Sequence, residues 1–313
     1  MLASLQVSFE AVMPIFLLMA VGYGIKCCRL VDETVFAALN KLIFRVFLPI
    51  LLFQNIRSSD VTAVLDWRLI GLAVALVLVL FVIGYFAVKV LTDDDRKRGV
   101  MAQVFFRSNF AILGIPIVDY VCRGQAEGRV SMVVAVLVPL FNVLAVIVLE
   151  RYRGGKVKPL RLLKGIATNP LIIACALGAV SLALPFTLPP LLDGAVVSLS
   201  EVASPLSLVV LGAGFTFSGV RGYARELTVM TAVKLIAAPL FSLTVAALCG
   251  FRGESLACIL AAFGAPMAVS SFSMAQEMDA DSQLAAQGVV VTSGTCLLTL
   301  FVWVFLLSLI GLI

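Results

Sequence analysis

The sequence predicts an all-α integral membrane protein of ten transmembrane helices, arranged as two inverted five-helix repeats. Of its 313 residues, 62% are hydrophobic and the mean hydropathy is +1.12, far above the roughly 45–50% apolar usage of soluble domains. Apolar runs of about 20 residues, the length that crosses a hydrocarbon core, recur from end to end. The prolines also repeat: Pro14 and Pro49 are 35 residues apart, Pro170 and Pro205 are again 35 apart, and the pairs are offset by 156 residues, half the chain.

Cutting the chain at its charge and turn clusters gives spans near 8–27, 34–56, 68–91, 100–122, 130–150, 166–186, 189–219, 227–249, 254–277 and 284–312. The first span meets no positive charge before Lys26, so it does not read as a cleaved secretory leader and is expected to stay inserted. The third ends in the hydrophilic run Thr92 to Arg98, and the fifth in the basic run Arg151 to Lys164. Neither run is long enough to fold alone. Domain boundaries follow: a first repeat over 1–153, a basic cytoplasmic linker over 154–164, and a second repeat over 165–313. Five is odd, so the second half enters the membrane in the opposite sense, a plan common among secondary transporters.

Orientation is read from Lys and Arg, which concentrate on the cytoplasmic side. Counting span-end residues with the adjoining loop, the loops after odd-numbered spans carry 14 and those after even-numbered spans carry 5. The odd loops are therefore expected inside and both termini outside, in the cell's inner membrane. The net charge of +5 is topological and argues for no nucleic-acid partner. Seven scattered cysteines without a CxxC pair, and no histidine, offer no metal site, so the cysteines read as small apolar fillers. No acidic pair within a span and no nucleotide loop suggests an enzyme, and no cofactor is implied.

The chemistry concentrates in spans 4 and 9. In span 4 a glycine precedes a proline by two residues, Gly114-Ile115-Pro116, and span 9 repeats this as Gly264-Ala265-Pro266, followed by Ser270, Ser271 and Ser273. Proline removes a backbone donor and clashes with the preceding turn, and glycine lets the chain swing, so both helices should break there. Freed backbone groups at that depth cannot face lipid and must line a cavity or meet a solute. Each half-helix after its proline should present free N–H groups and a partial positive end of about half a charge. Two such ends suit a carboxylate, and a dianion would need a further cation or protonation.

Asn109 lies seven residues before Pro116, two turns away on the same face, and is a candidate to look toward the break. Arg107 is nine before it, about 13 Å along a helix, and is expected near the cytoplasmic end, either steering an anion or snorkelling to headgroups. Lys234, eight residues into span 8, should face the interior, with pairing to Glu201 and a substrate role both open. Glu10, Glu201, Gln276 and Glu277 are span-edge candidates for coupling or charge pairing. The small residues from Pro205 to Gly214 read as a close helix contact.

The run Arg107-Ser-Asn-Phe-Ala-Ile-Leu-Gly-Ile-Pro116 resembles the fourth-helix signature of the auxin efflux carrier family, which includes bacterial malate and malonate permeases. Asn169-Pro170, Pro205 to Gly214, and Ala265-Pro266 through Gln276 are similar to that family's second half. The resemblance implies broken helices 4 and 9 crossing near mid-membrane, and a transport domain moving against helices 1, 2, 6 and 7. It also implies a site of Asn109, Gly114, Pro116, Gly264 and Pro266, to which Ser270, Ser271 and Arg107 add polar groups. Helix 9 has no asparagine beside its break and the linker is short, which favours a bacterial-type carboxylate permease over an auxin carrier. The expected function is transport of a small mono- or dicarboxylate by alternating access. The alternatives are a sodium- or proton-coupled symporter of a hydrophobic anion and a non-transporting membrane receptor. The coupling ion, proton or sodium, and a homodimer are left open.

Overall fold

The computed structural model describes residues 2–58, 66–122, 126–153, 159–183 and 188–313. Side chains of residues 2–12, 111, 112, 115–117, 120, 127, 159–162, 182 and 183 lie outside that description. Glu10, the Pro116 ring and linker residues 154–158 are among what is left out.

Every regular element among the described residues is helical. In order these are α1 (Leu2–Cys27), α2 (Glu33–Leu42), α3 (Leu48–Arg57), α4 (Trp67–Leu91), α5 (Asp95–Phe106), α6 (Ile115–Cys122), α7 (Glu127–Tyr152) and α8 (Pro159–Ala167). They continue as α9 (Pro170–Ala183), α10 (Pro190–Gly214), α11 (Phe217–Gly222), α12 (Ala224–Ala232), α13 (Ala238–Leu248), α14 (Gly253–Gly264), α15 (Ser270–Glu277) and α16 (Ser282–Leu309). Among the described residues, six stretches are long and apolar enough to cross a membrane: Glu33–Arg57, Trp67–Leu91, Gly128–Tyr152, Pro190–Gly214, Ala224–Leu248 and Ser282–Leu309. Expected spans 4 and 9 are not among them because each is divided, into α5 with α6 and α14 with α15.

Two of the six contain a π-helical turn placed just before a proline. Ile43–Phe47 joins α2 to α3 ahead of Pro49, and Val233–Ala237 joins α12 to α13 ahead of Pro239. A helical proline lacks the N–H that would bond four residues back, and its ring clashes with that carbonyl. Widening the turn by one residue relieves the clash: the Leu48 amide reaches back to the Ile43 carbonyl, and that of Ala238 to Val233. The Leu235 carbonyl, which Pro239 cannot bond, accepts instead from the Trp303 indole at 3.0 Å.

Without a hydrophobic drive between helices in lipid, close approach of small residues does the packing. The α1–α10 pair is joined by two reciprocal glycine contacts. A side chain at Gly22 would overlap the Val209 carbonyl, and one at Gly212 the Met19 carbonyl. This bears out the close helix contact read from Pro205 to Gly214. The α1, α3, α9 and α10 helices pack together, α4–α7 pack with α12–α16, and α1 with α16 and α6, and α7 with α9, join the two groups. The outer surface is apolar, with Val90, Leu191 and Leu248 88%, 86% and 83% exposed, as side chains facing lipid would be.

The second group is tied at one end by polar side chains. Lys97 pairs with Glu226 at 2.6 Å, and Arg153 with Asp279 at 2.8 Å and Glu150 at 3.2 Å. The Tyr223 hydroxyl donates to Asp281 at 3.2 Å. Beside the Glu226 carboxylate the Lys97 ammonium is held above the ordinary lysine range.

Candidate functional site

The two broken segments lie against each other, and their breaks have different causes. In the second, α14 stops at Gly264 and Ala265 is extended, with φ −65° and ψ 151°, as the residue before a proline is driven to be. Here the proline rule holds. In the first, the chain leaves the helix at Arg107-Ser108-Asn109 and resumes as a π turn over Phe110–Gly114 that leads into α6. The expected break at Gly114-Ile115-Pro116 is corrected. Pro116 comes just after the π turn Phe110–Gly114, as Pro49 and Pro239 come after theirs, and the widened turn accommodates the missing N–H without breaking the helix. Ser and Asn compete for backbone hydrogen bonds, and that trio ends α5.

Backbone groups freed at the breaks are paired across the contact, as the absence of water at this depth requires. The Asn109 amide donates to the Pro266 carbonyl at 2.8 Å. The Ser108 hydroxyl donates to the Ala262 carbonyl at 2.6 Å, and Lys234 Nζ to the Phe263 carbonyl at 3.2 Å. The Met267 amide donates to Thr292 Oγ1 at 3.2 Å. Gly114 and Gly264 serve this contact by packing: a side chain at the first would meet Phe110 and Ala261, and at the second Leu260 and Leu300.

At the centre is Arg107. It is 2% exposed, so snorkelling to headgroups does not hold, because the break turns its side chain inward. Its Nη1 donates to Gln103 Oε1 at 2.9 Å and Met274 Sδ at 2.8 Å, and its Nη2 to Asn142 Oδ1 at 2.9 Å and Ser270 Oγ at 2.6 Å. Gln103 and Asn142 anchor their amide NH2 groups on the Gly99 and Val138 carbonyls, which leaves their oxygens to the guanidinium. All four acceptors are neutral, and among the described residues no carboxylate is within ion-pair distance of Arg107.

Arg107, Ser108, Asn109 and Ser270 form one wall of a cavity of about 370 Å³, within the range of small-molecule sites. The cavity is lined further by Leu48, Leu52 and Asn55 of α3 and its C-cap Ser58, by Ser204 and Ser207 of α10, and by Ser131, Val134, Phe141 and Asn142 of α7. The Asn109 Nδ2 group is buried and has no hydrogen-bond partner. An uncompensated buried cation and an orphan donor in one cavity call for an acceptor carrying negative charge.

The half-helix ends contribute less than expected. The Ser271 and Phe272 amides at the start of α15 already bond the Ala268 and Val269 carbonyls, so the positive charge at the cavity is the guanidinium. Ser271 is fully buried, its hydroxyl unpartnered, and does not line the cavity. The Lys234–Glu201 pairing is also corrected. Lys234 is 0% exposed and bonded to Phe263, whereas Glu201 is exposed on α10.

A second cavity, of about 260 Å³, is lined by Lys26, Glu33, Phe36, Gly214, Phe272 and Gln276 among others, farther along α10 and α15 than the first. Gln276 and Glu277 are half-buried at the end of α15, and of the two Gln276 lines this cavity. Between the cavities is a seam: Asn40, 0% exposed, donates to the Ser273 carbonyl at 3.4 Å, and Phe272 abuts Gly214. Asn40, Gln103 and Asn142 were missed in the sequence. The available signal was a polar amide inside an apolar span, which is costly unless it has a partner or a task.

A family model described as membrane transport protein matches residues 7–304. The chain is 23% identical over 298 residues to an uncharacterized transporter of Methanothermobacter thermautotrophicus, covering 95% of this chain and 97% of that one. It is 22% identical over 312 residues to an uncharacterized transporter of Methanocaldococcus jannaschii, covering 96% and 99%.

Proposed function

The chain belongs to the membrane transport protein family, a multi-pass transporter rather than an enzyme, and we propose that its solute is a small organic anion, a mono- or dicarboxylate. The observation that carries the reading is Arg107: a guanidinium buried at the contact of two broken helices, with no carboxylate partner among the described residues, in a cavity that also holds the unpartnered Asn109 Nδ2 group. A carboxylate there accepts from both. Arginine's planar fork favours such bidentate contacts.

Alternating access is supported by the two cavities at opposite ends of one seam. The body of α4–α7 and α12–α16 moves against α1–α3, α9 and α10, breaking the Asn40–Ser273 contact and exchanging which cavity reaches the crossing. At 3.4 Å that hydrogen bond is long and therefore weak, as a reversible closure needs. In this reading the cavity bounded by Ser58 and Ser131 opens outward, the cavity bounded by Lys26 and Glu33 faces the cytoplasm, and ten spans form the inverted repeat in the inner membrane with both termini outside.

The test is uptake by purified protein in liposomes, supplied with labelled malate, malonate and related acids. Accumulation of one or more of them is expected. No response across the panel would sink the substrate class.

A further inference from the structure

We infer that Lys234 is a resident cation of the carrier, standing at the broken end of α14 where a coupling sodium ion would otherwise bind. This rests on reading the chain as an anion carrier. Half-helix C-termini in discontinuous membrane helices carry partial negative charge and unbonded carbonyls, and transporters use such ends to coordinate sodium or protons. Here α14 ends in mid-chain at Gly264, and two of its last four carbonyls are already taken by side chains. Ala262 accepts from Ser108, and Phe263 from the Lys234 ammonium at 3.2 Å.

The lysine has been placed there by the backbone. Lys234 is the second residue of the π turn before Pro239, and that turn packs on α14. Its side chain is 0% exposed. Of the other elements packed on the turn, α13 carries no charged residue and α16 only Cys296 among titratable groups. On α14, Glu254 pairs with Arg129 at 3.1 Å, and the thiol of Cys258 is the other titratable group. On α12, Glu226 is taken by Lys97, and Arg225 adds no negative charge. On α5, Asp95 pairs with Arg98 at 2.7 Å, beside Arg96 and Lys97. Every carboxylate on these elements is engaged elsewhere, so the negative end of α14 is what faces the ammonium. Two cations, Arg107 for the solute and Lys234 for the helix end, then make the contact of the breaks electrostatically complete without sodium.

Two measurements decide this. Binding of radiolabelled sodium to the purified wild-type protein is expected to stay at background, and saturable binding overturns the inference whether or not any carboxylate is moved. In liposomes loaded with a transported acid, replacing sodium by potassium or choline is expected to change wild-type uptake less than about twofold. Under the same conditions Lys234→Met loses about tenfold or more, and Lys234→Arg retains uptake. Uptake that stops without sodium, or a folded Lys234→Met that transports as wild type, overturns it. Absence of all carboxylate flux counts against the anion reading instead, and the sodium-binding result still stands.

Discussion

Replacing Arg107 by glutamine removes the guanidinium charge while keeping an amide that can still face Ser270. In the wild type all four hydrogen bonds from Arg107 go to neutral acceptors, so the charge is uncompensated until a solute arrives. A hydrogen bond to a charged group contributes about 1.5–3 kcal/mol, which raises the half-saturating solute concentration roughly 10- to 150-fold when lost. Stability moves less. Lost hydrogen bonds at about 1 kcal/mol each are offset by relief of burying a charge. The assay is competition by unlabelled acid against labelled acid uptake in liposomes, with detergent melting temperature as the folding control. Arg107→Lys is expected to fall between, because it keeps charge without the fork. A glutamine variant with wild-type affinity would refute the assignment of Arg107 to the anion.

Three further outcomes are expected. Asn109→Ala removes the unpartnered Nδ2 donor and should cost about 0.5–1.5 kcal/mol of solute affinity, roughly 2- to 10-fold in the same competition assay, with unchanged expression. Asn40→Ala removes the seam's hydrogen bond to Ser273, so a Ser273→Cys reporter in a background lacking native cysteines should react faster with a membrane-impermeant thiol reagent. Gly212→Ala forces a methyl group onto the Met19 carbonyl and should lower the melting temperature, overpacking costing about 1–3 kcal/mol, while Gly194→Ala, with open space around it, should not.

Much of the fold was legible because composition and span length are dictated by the bilayer. The division of spans 4 and 9 was legible too, but only the second break lies where proline places it. Proline reasoning works at Ala265-Pro266, where the residue before the ring is forced extended. It misleads at Pro116, because a π turn just before a proline lets the helix run on, as at Pro49 and Pro239, and the real interruption is made by three polar residues whose hydrogen bonds lie across the molecule. The same limit explains Arg107 and Lys234. Sequence marks them as costly charges in apolar spans, yet which way each points depends on a break or a π turn, and their acceptors, Ser270 and the Phe263 carbonyl, are 163 and 29 residues away. Asn40 and Asn142 escaped notice for the same reason, since their partnerships exist only after packing.

The central claim is that the cavity selects negative charge, and the most direct test compares a dicarboxylic acid with its neutral diamide of nearly the same shape. Liposomes containing the protein should accumulate labelled malonate, with excess malonate competing and malonamide failing to compete at comparable concentration. Equal competition by the diamide would contradict the account, because a site built on Arg107 cannot be indifferent to the charge it faces.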